Sequence, residues 1–148
     1  IVDSMIMPLE ERLNSTVRYS EFKNSDLAQQ VLIIDNIGML STLYRYAHYT
    51  YVGGGFSDGL HNILEPAVYE IPVFFGNRDY QRFKEALDLI DLGAAFPVGS
   101  LKEFDTLFNE LQNDSQQQLA IKDNLHQYLE ANKGASKKII NRIKESRK

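Results

Sequence analysis

Three polar side chains, His61, Asn62 and Glu65, follow closely on a run of three glycines, Gly53, Gly54 and Gly55. The stretch 51–76 reads YVGGGFSDGLHNILEPAVYEIPVFFG. Glycines let a backbone turn tightly and bring its N–H groups close to an anion. A helix start offers unpaired N–H donors and a partial positive charge. With Asn62 as cap, Glu65 sits one turn in, and both face the same way. A carboxylate so placed can accept hydrogen bonds from a vicinal diol, while the amide and the first-turn N–H groups can hold a phosphate. The structural alternative is a plain capping pair beside a tight turn, which needs no ligand. The glycines favour the site, because a cap alone needs no open backbone beside it.

Other groups carry weaker versions of the same choice. His61 is placed either to contact a phosphate or to pack as an ordinary surface histidine. The turn Asp35-Asn36-Ile37-Gly38 is either a common turn or a wall of the same pocket. Arg78, Tyr80 and Lys84 either bring positive charge over an anion or open a solvated helix. The glycine run is neither a GxGxxG fingerprint nor a P-loop, since no Lys-Ser/Thr pair follows it. His48 and His126 stand at no metal-ligand spacing to His61, so neither a metal site nor a cofactor is expected.

The elements that must position these residues alternate in type. Short apolar runs at 16–19, 31–34, 49–52, 72–75 and 94–96 read as strands. The run 31–34 is uniformly apolar, as for a strand buried on both faces. Helical spacing of apolar residues appears around 40–47, 63–69 and 80–92, the last stopped by Gly93. Ser100 and Glu103 form a capping box for a helix with Leu101, Phe104, Phe108 and Leu111 on one side. Ile121, Leu125, Tyr128 and Leu129 mark the next helix, ending near Gly134. Ser136 opens a last one, with Ile139, Ile140 and Ile143 on one side. The segment 20–30 reads as loop or marginal helix. The alternation implies one α/β domain over 1–148, a Rossmann-like parallel sheet with helices on both faces. Ligands of such sheets sit beyond the carboxyl ends of the strands, where both the 35–38 turn and the glycine loop fall.

Charge and composition narrow the function. The 148 residues contain no cysteine, which excludes disulfides, thiol catalysis and thiolate metal sites and fits a reducing compartment. Of 16 Lys and Arg, seven lie in 133–148, beside Glu145 alone of the 20 acidic residues. The net charge of −4 therefore divides into −10 for 1–132 and +6 for the tail. An acidic body argues against nucleic acid as a partner. The tail is either a solvated helix with its apolar stripe against the sheet, or a segment attracted to an anionic membrane surface. No apolar run approaches a membrane span, so the fragment is expected to be soluble. The segment 1–13 reads as a helix without a start signal, and the chain is expected to be the C-terminal part of a longer protein.

Taken in order, VLIIDNIGMLSTLY, YVGGGF, GLHNILEPAVYEIPVFFG, FKEALDLIDLGAAF and LEANKGAS resemble the 3-deoxy-D-manno-octulosonic acid (Kdo) transferases. The resemblance runs from about residue 31 to the end and is most specific in the His61-Asn62-x-x-Glu65-Pro66 element. It implies the C-terminal, donor-binding half of a two-domain GT-B glycosyltransferase. The donor would be CMP-Kdo and the acceptor a lipid A precursor, at the cytoplasmic face of the inner membrane. The family inverts at the reacting carbon, with a catalytic base in the other half, so no catalytic residue is expected here. By motif, Gly54, Gly55 and Asn62 would hold the CMP phosphate, Glu65 the ribose hydroxyls, and His61, Asp35 and Gly38 would line the donor site. Leu60 and Asn77 depart from the family pattern, which often has glycine before the histidine and proline after the strand-end glycine. A UDP-sugar transferase or 2-epimerase of the same architecture is the alternative, and a non-catalytic module keeping only the fold is a third.

Overall fold

The computed structural model describes residues 3–23, 28–56 and 59–146. The chain falls into two compact units, Ile1–Leu43 and Tyr44–Lys148.

In the first unit, helix α1 (Asp3–Arg12) precedes strands β1 (Thr16–Arg18) and β2 (Val31–Ile33). The strands pair in parallel, Thr16 opposite Val31. Arg18 clamps both oxygens of Glu10 at 2.7 Å, joining β1 to α1. The strand expected over 31–34 is present one residue shorter, but it is not covered on both faces. Leu32 is 45% exposed, and among the described residues β2 has β1 as its one ladder partner. A two-stranded sheet has too little surface for covering layers of helices on both sides. Of the segment 20–30, a single 3₁₀ turn covers Tyr19–Glu21, while residues 24–27 lie outside the described set. The helical signal at 40–47 becomes one turn, α2 (Leu40–Leu43), followed by a 3₁₀ turn at Tyr44–Tyr46 where the second unit begins.

The second unit is built on strands β3 (Thr50–Val52), β4 (Val73–Gly76) and β5 (Ala95–Val98). All pair in parallel, with β4 in the middle. Successive side chains of a strand point to opposite faces, yet Val73, Phe74 and Phe75 are all essentially inaccessible. Both faces of β4 are therefore covered. On one face Phe74 stacks on Phe96 and meets Phe104 edge-on, each with ring centres 5.0 Å apart. Phe75 meets Tyr80 edge-on at 5.6 Å. Side-chain burial of this kind contributes about 1.5–3 kcal/mol per large residue.

The helices follow the sequence signals with instructive offsets. The expected helix over 80–92 is a 3₁₀ turn at Tyr80–Arg82, then α4 (Lys84–Asp91), because Phe83 between them is extended. Its Ala86 and Leu89 enter the core. Strand β5 extends past residue 96 through Pro97, which an edge strand tolerates since one side of it needs no donor. Helix α5 (Leu101–Asn113) starts at the expected capping box. Ser100 Oγ accepts the Glu103 N–H at 3.2 Å, and Glu103 in return accepts the N–H of Gly99 at 2.7 Å. Asp114 caps α6 (Ser115–Asn132) by accepting the Gln117 N–H. Leu111, Ile121 and Leu125 of these two helices are buried. Helix α7 (Ala135–Glu145) follows a left-handed Gly134.

Candidate functional site

The glycine loop leaves the carboxyl end of β3 and folds back on itself. Gly54 and Gly55 have φ of +87° and +76°, a region that side chains with a Cβ avoid. The Gly55 N–H donates to the Gly59 carbonyl at 2.7 Å, and the His61 N–H to the Gly53 carbonyl at 3.3 Å. Gly54 thereby lies across from Leu60 in a small antiparallel bridge. A second tie fixes the loop to the end of β4, where the Arg78 N–H donates to the Gly55 carbonyl at 2.7 Å.

There is almost no room inside this fold-back. A Cβ on Gly54 would stand 2.1 Å from the Gly59 oxygen, and one on Gly55 2.3 Å from the Gly76 oxygen. The glycines are thus demanded by backbone meeting backbone. The Gly55 amide is engaged within the loop, so it serves to shape the loop rather than to present a donor.

The loop delivers His61 and Asn62 to the start of helix α3 (Leu64–Ala67). The helix is shorter than the expected 63–69. Ile63, Pro66 and Ala67 are buried and anchor it, while Glu65 stays exposed. The helix starts one residue later than expected, so Ile63, not Asn62, is the cap residue and Glu65 is the second helical residue; the Asn62 Oδ1 still accepts the Leu64 N–H at 3.0 Å. Its Nδ2 donates to Glu65 Oε1 at 3.1 Å. The structure thus adds a direct hydrogen bond between these two exposed side chains, where the sequence suggested only their shared helix start. Glu65 keeps Oε2 as an acceptor, and Asn62 Nδ2 carries a second hydrogen. The His61 ring lies along Gly53, where a Cβ would stand 3.6 Å from its Nδ1.

Two residues beyond the motif belong to the same neighbourhood. Tyr44 is buried, and burial, then the nearby Glu65 carboxylate, hold its hydroxyl above the usual tyrosine range. Arg82 reaches the glycine loop, with Nη2 2.8 Å from where a Cβ of Gly59 would stand, while its guanidinium covers the Phe83 ring at 5.2 Å. Neither had a local sequence signal: Tyr44 reads as one of a helical apolar series, and Arg82 is aimed by a 3₁₀ turn that periodicity does not reveal.

The other expected cations behave differently. Arg78 is exposed and tied to the loop through its backbone. Lys84 pairs with Asp88 four residues on, at 2.6 Å, and Tyr80 packs on Phe75. His126 pairs with Glu70 at 2.7 Å. His48 lines a groove beside Tyr49 and Pro72, which precede β3 and β4, at the opposite end of the strands from the loop. Among the described residues no three His, Asp or Glu side chains are grouped to hold a metal ion.

Asp35 and Gly38 belong to the first unit. The Asp35 carboxylate accepts the Ser20 hydroxyl and, at 3.1 Å, the Ser20 N–H. The Ser20 hydroxyl bond is the main reason its carboxyl stays below the usual range. Gly38 has φ of +95° and open space around it.

A cavity of about 410 Å3 lies near the carboxyl ends of β3 and β5, lined by Tyr51, Phe56, Val98, Ser100, Leu101 and Phe104. Its lining is apolar, and it does not take in Asn62 or Glu65, which stand open to solvent.

No family model matches the chain. A bifunctional glycosyltransferase/methyltransferase of Fusobacterium nucleatum is 28% identical over 115 residues, covering 73% of this chain and 18% of that protein. A 3-deoxy-D-manno-octulosonic acid transferase of Chlamydia trachomatis is 36% identical over 92 residues, covering 61% of this chain and 21% of that protein. The chain spans about a fifth of the length of these relatives. In three dimensions it is similar to the crystal structure of the C-terminal CMP-Kdo binding domain of WaaA from Acinetobacter baumannii. That likeness has a TM-score of 0.71 at 23% identity, covering 85% of this chain and 67% of the other. The structural likeness establishes the fold.

Proposed function

We propose that this chain, related in sequence to the 3-deoxy-D-manno-octulosonic acid transferases, is the donor-binding part of a glycosyltransferase that uses CMP-Kdo. The observation that carries this reading is the pinned glycine loop at the end of β3, leading directly into the hydrogen-bonded pair Asn62–Glu65. Glu65 accepts the ribose hydroxyls through Oε2. Asn62, with His61 beside it, faces the phosphate. Gly54 and Gly55 allow the fold-back that brings these side chains to the mouth of the sheet. Arg82, close to Gly59, adds positive charge to the same edge.

The chemistry follows from the leaving group. Departure of CMP gathers negative charge on its phosphate, and donors already held in place lower that barrier without reorganising. The reacting sugar is passed to an acceptor, which we take to be a lipid A precursor at the cytoplasmic face of the inner membrane. The acceptor and the catalytic base are handled by the part of the parent enzyme that faces this site.

Titration of CMP, UMP and UDP into the isotope-labelled chain tests the reading by NMR. CMP is expected to shift amides in 53–65 in preference to the uridine nucleotides. Silence of those amides at about millimolar CMP, where even a weak site of roughly −4 kcal/mol half fills, overturns it. Preference for UDP replaces CMP-Kdo with a UDP-sugar.

A further inference from the structure

Arg82 is a cation that the fold holds in place without neutralising it. It ends the 3₁₀ turn Tyr80–Arg82, and the segment leading to it is fixed twice. The Arg78 N–H donates to the Gly55 carbonyl at 2.7 Å, and Tyr80 packs edge-on against the buried Phe75. The Arg82 guanidinium rests over the Phe83 ring, 5.2 Å from its centre. Its Nη2 lies 2.8 Å from where a Cβ of Gly59 would stand, so the bare backbone of that buried glycine leaves it room. The ordinary fate of a surface arginine is a neighbouring carboxylate, and residues 44–132 hold 13 Asp and Glu against six Lys and Arg. Yet Arg82 has no carboxylate partner among the described residues, whereas Lys84, two positions on, is paired with Asp88.

We propose that Arg82 selects an acidic donor sugar by pairing with its carboxylate. The inference rests on the donor-site reading and deepens it, by assigning a residue to the sugar rather than to the nucleotide. In a CMP-activated ulosonic acid the carboxylate and the phosphate oxygen are carried by the same carbon. A loop that receives the phosphate therefore receives a second negative charge beside it. A guanidinium meets a carboxylate through two parallel N–H bonds, a geometry that an ammonium group does not match. The contact with Phe83 restricts the side chain in advance, and Arg82 is exposed, so its donors are free to meet a ligand. Two other partners compete for it. One is the phosphate itself, in which case Arg82 serves CMP as well as the whole donor. The other is a carboxylate from the rest of a longer protein, in which case Arg82 affects neither ligand in this chain.

Titration of CMP and of CMP-Kdo into the 148-residue chain and its Arg82→Gln variant separates these cases, read from the amide shifts of 53–65. The wild type is expected to bind CMP-Kdo more tightly than CMP. The glutamine variant should keep the wild-type circular dichroism and its affinity for CMP. For CMP-Kdo it should lose about 10- to 100-fold, the range of a hydrogen bond between charged groups. Arg82→Lys keeps the charge without the fork and should fall between the two. Equal losses for both ligands overturn the proposal in favour of the phosphate. No loss for either overturns it in favour of a partner outside this chain. In both of those outcomes CMP still shifts the wild-type amides, and the donor-site reading stands. Silence of the wild type towards both ligands overturns that reading, and this inference with it.

Discussion

Gly55 and Gly76 meet backbone to backbone. A Cβ on Gly55 would stand 2.3 Å from the Gly76 oxygen, and a Cβ on Gly76 would stand 2.7 Å from the Gly55 carbonyl carbon. The two residues follow β3 and end β4, adjacent strands with Val52 opposite Phe75. Their contact fixes where the glycine loop emerges. It thereby sets the positions of His61, Asn62 and Glu65 further along the loop.

Alanine at Gly55 must therefore adopt a left-handed backbone and also push into a neighbouring carbonyl. The combined cost is roughly 2–6 kcal/mol, read as a large loss of urea-unfolding stability. Gly93→Ala is the control, since Gly93 has φ of +68° but nothing near its missing Cβ. It should cost only about 1–2 kcal/mol. Equal effects at the two positions would refute the close contact.

Asn62→Ala removes the acceptor of the Leu64 N–H and the donor to Glu65 together. Loss of a side-chain acceptor at a helix start costs about 1 kcal/mol, and CMP affinity should fall because Glu65 is no longer held. Asn62→Asp restores the acceptor but sets two carboxylates against each other. Stability should thus recover more than affinity, in paired chemical denaturation and CMP titration. Recovery of both would show that the bond to the Leu64 N–H, not the pair, matters.

Glu65→Gln keeps an acceptor for Asn62 but discards the charge. A hydrogen bond to a charged group contributes about 1.5–3 kcal/mol, so CMP binding should weaken by roughly 10- to 100-fold with little change in stability. Deoxycytidine monophosphate, which lacks the 2′-hydroxyl, should bind the wild type more weakly and the variant no differently from CMP. Isothermal titration decides this. Undiminished binding by the glutamine variant would remove Glu65 from the ribose role.

Tyr128 gives the fold an alkaline limit. Its hydroxyl donates to Asp88 at 3.0 Å, and burial, with that bond and the Asp88 charge, pushes its pKa up to about 12. In the unfolded chain the hydroxyl ionises near 10. Between those values the unfolded state loses its proton while the folded state keeps it, so stability falls as pH rises. Below about 10 the contribution is fully present. Urea midpoints across this range should decline less steeply for Tyr128→Phe than for the wild type. Equal slopes would show that the bond to Asp88 does not hold the proton.

Much of the local order was legible because it depends on neighbours in sequence. The capping box Ser100–Glu103 is present, since side chain and amide lie within one turn. The β3 and β4 strands, the Gly93 stop and the placing of Asn62 and Glu65 near one helix start are local in the same way. Where boundaries moved, the structure shows what accompanies the shift: among the described residues β5 is an edge strand, which lets Pro97 join it, and the extended Phe83 separates α4 from the preceding 3₁₀ turn.

What the residues alone determined is the order of elements, the absence of thiol chemistry and the nearness of Asn62 and Glu65 at one helix start, all of which follow from composition and short-range spacing. Only the tertiary structure decided why Gly54 and Gly55 must be glycine. The steric conflict lies between Gly54 and Gly59 and between Gly55 and Gly76, contacts that depend on the loop closing and on β3 lying beside β4. It alone placed Arg82 at the loop and Tyr44 near Glu65, and left the isoleucines of α7 uncovered. Such facts concern which surfaces meet through space, and a one-dimensional period carries no record of that.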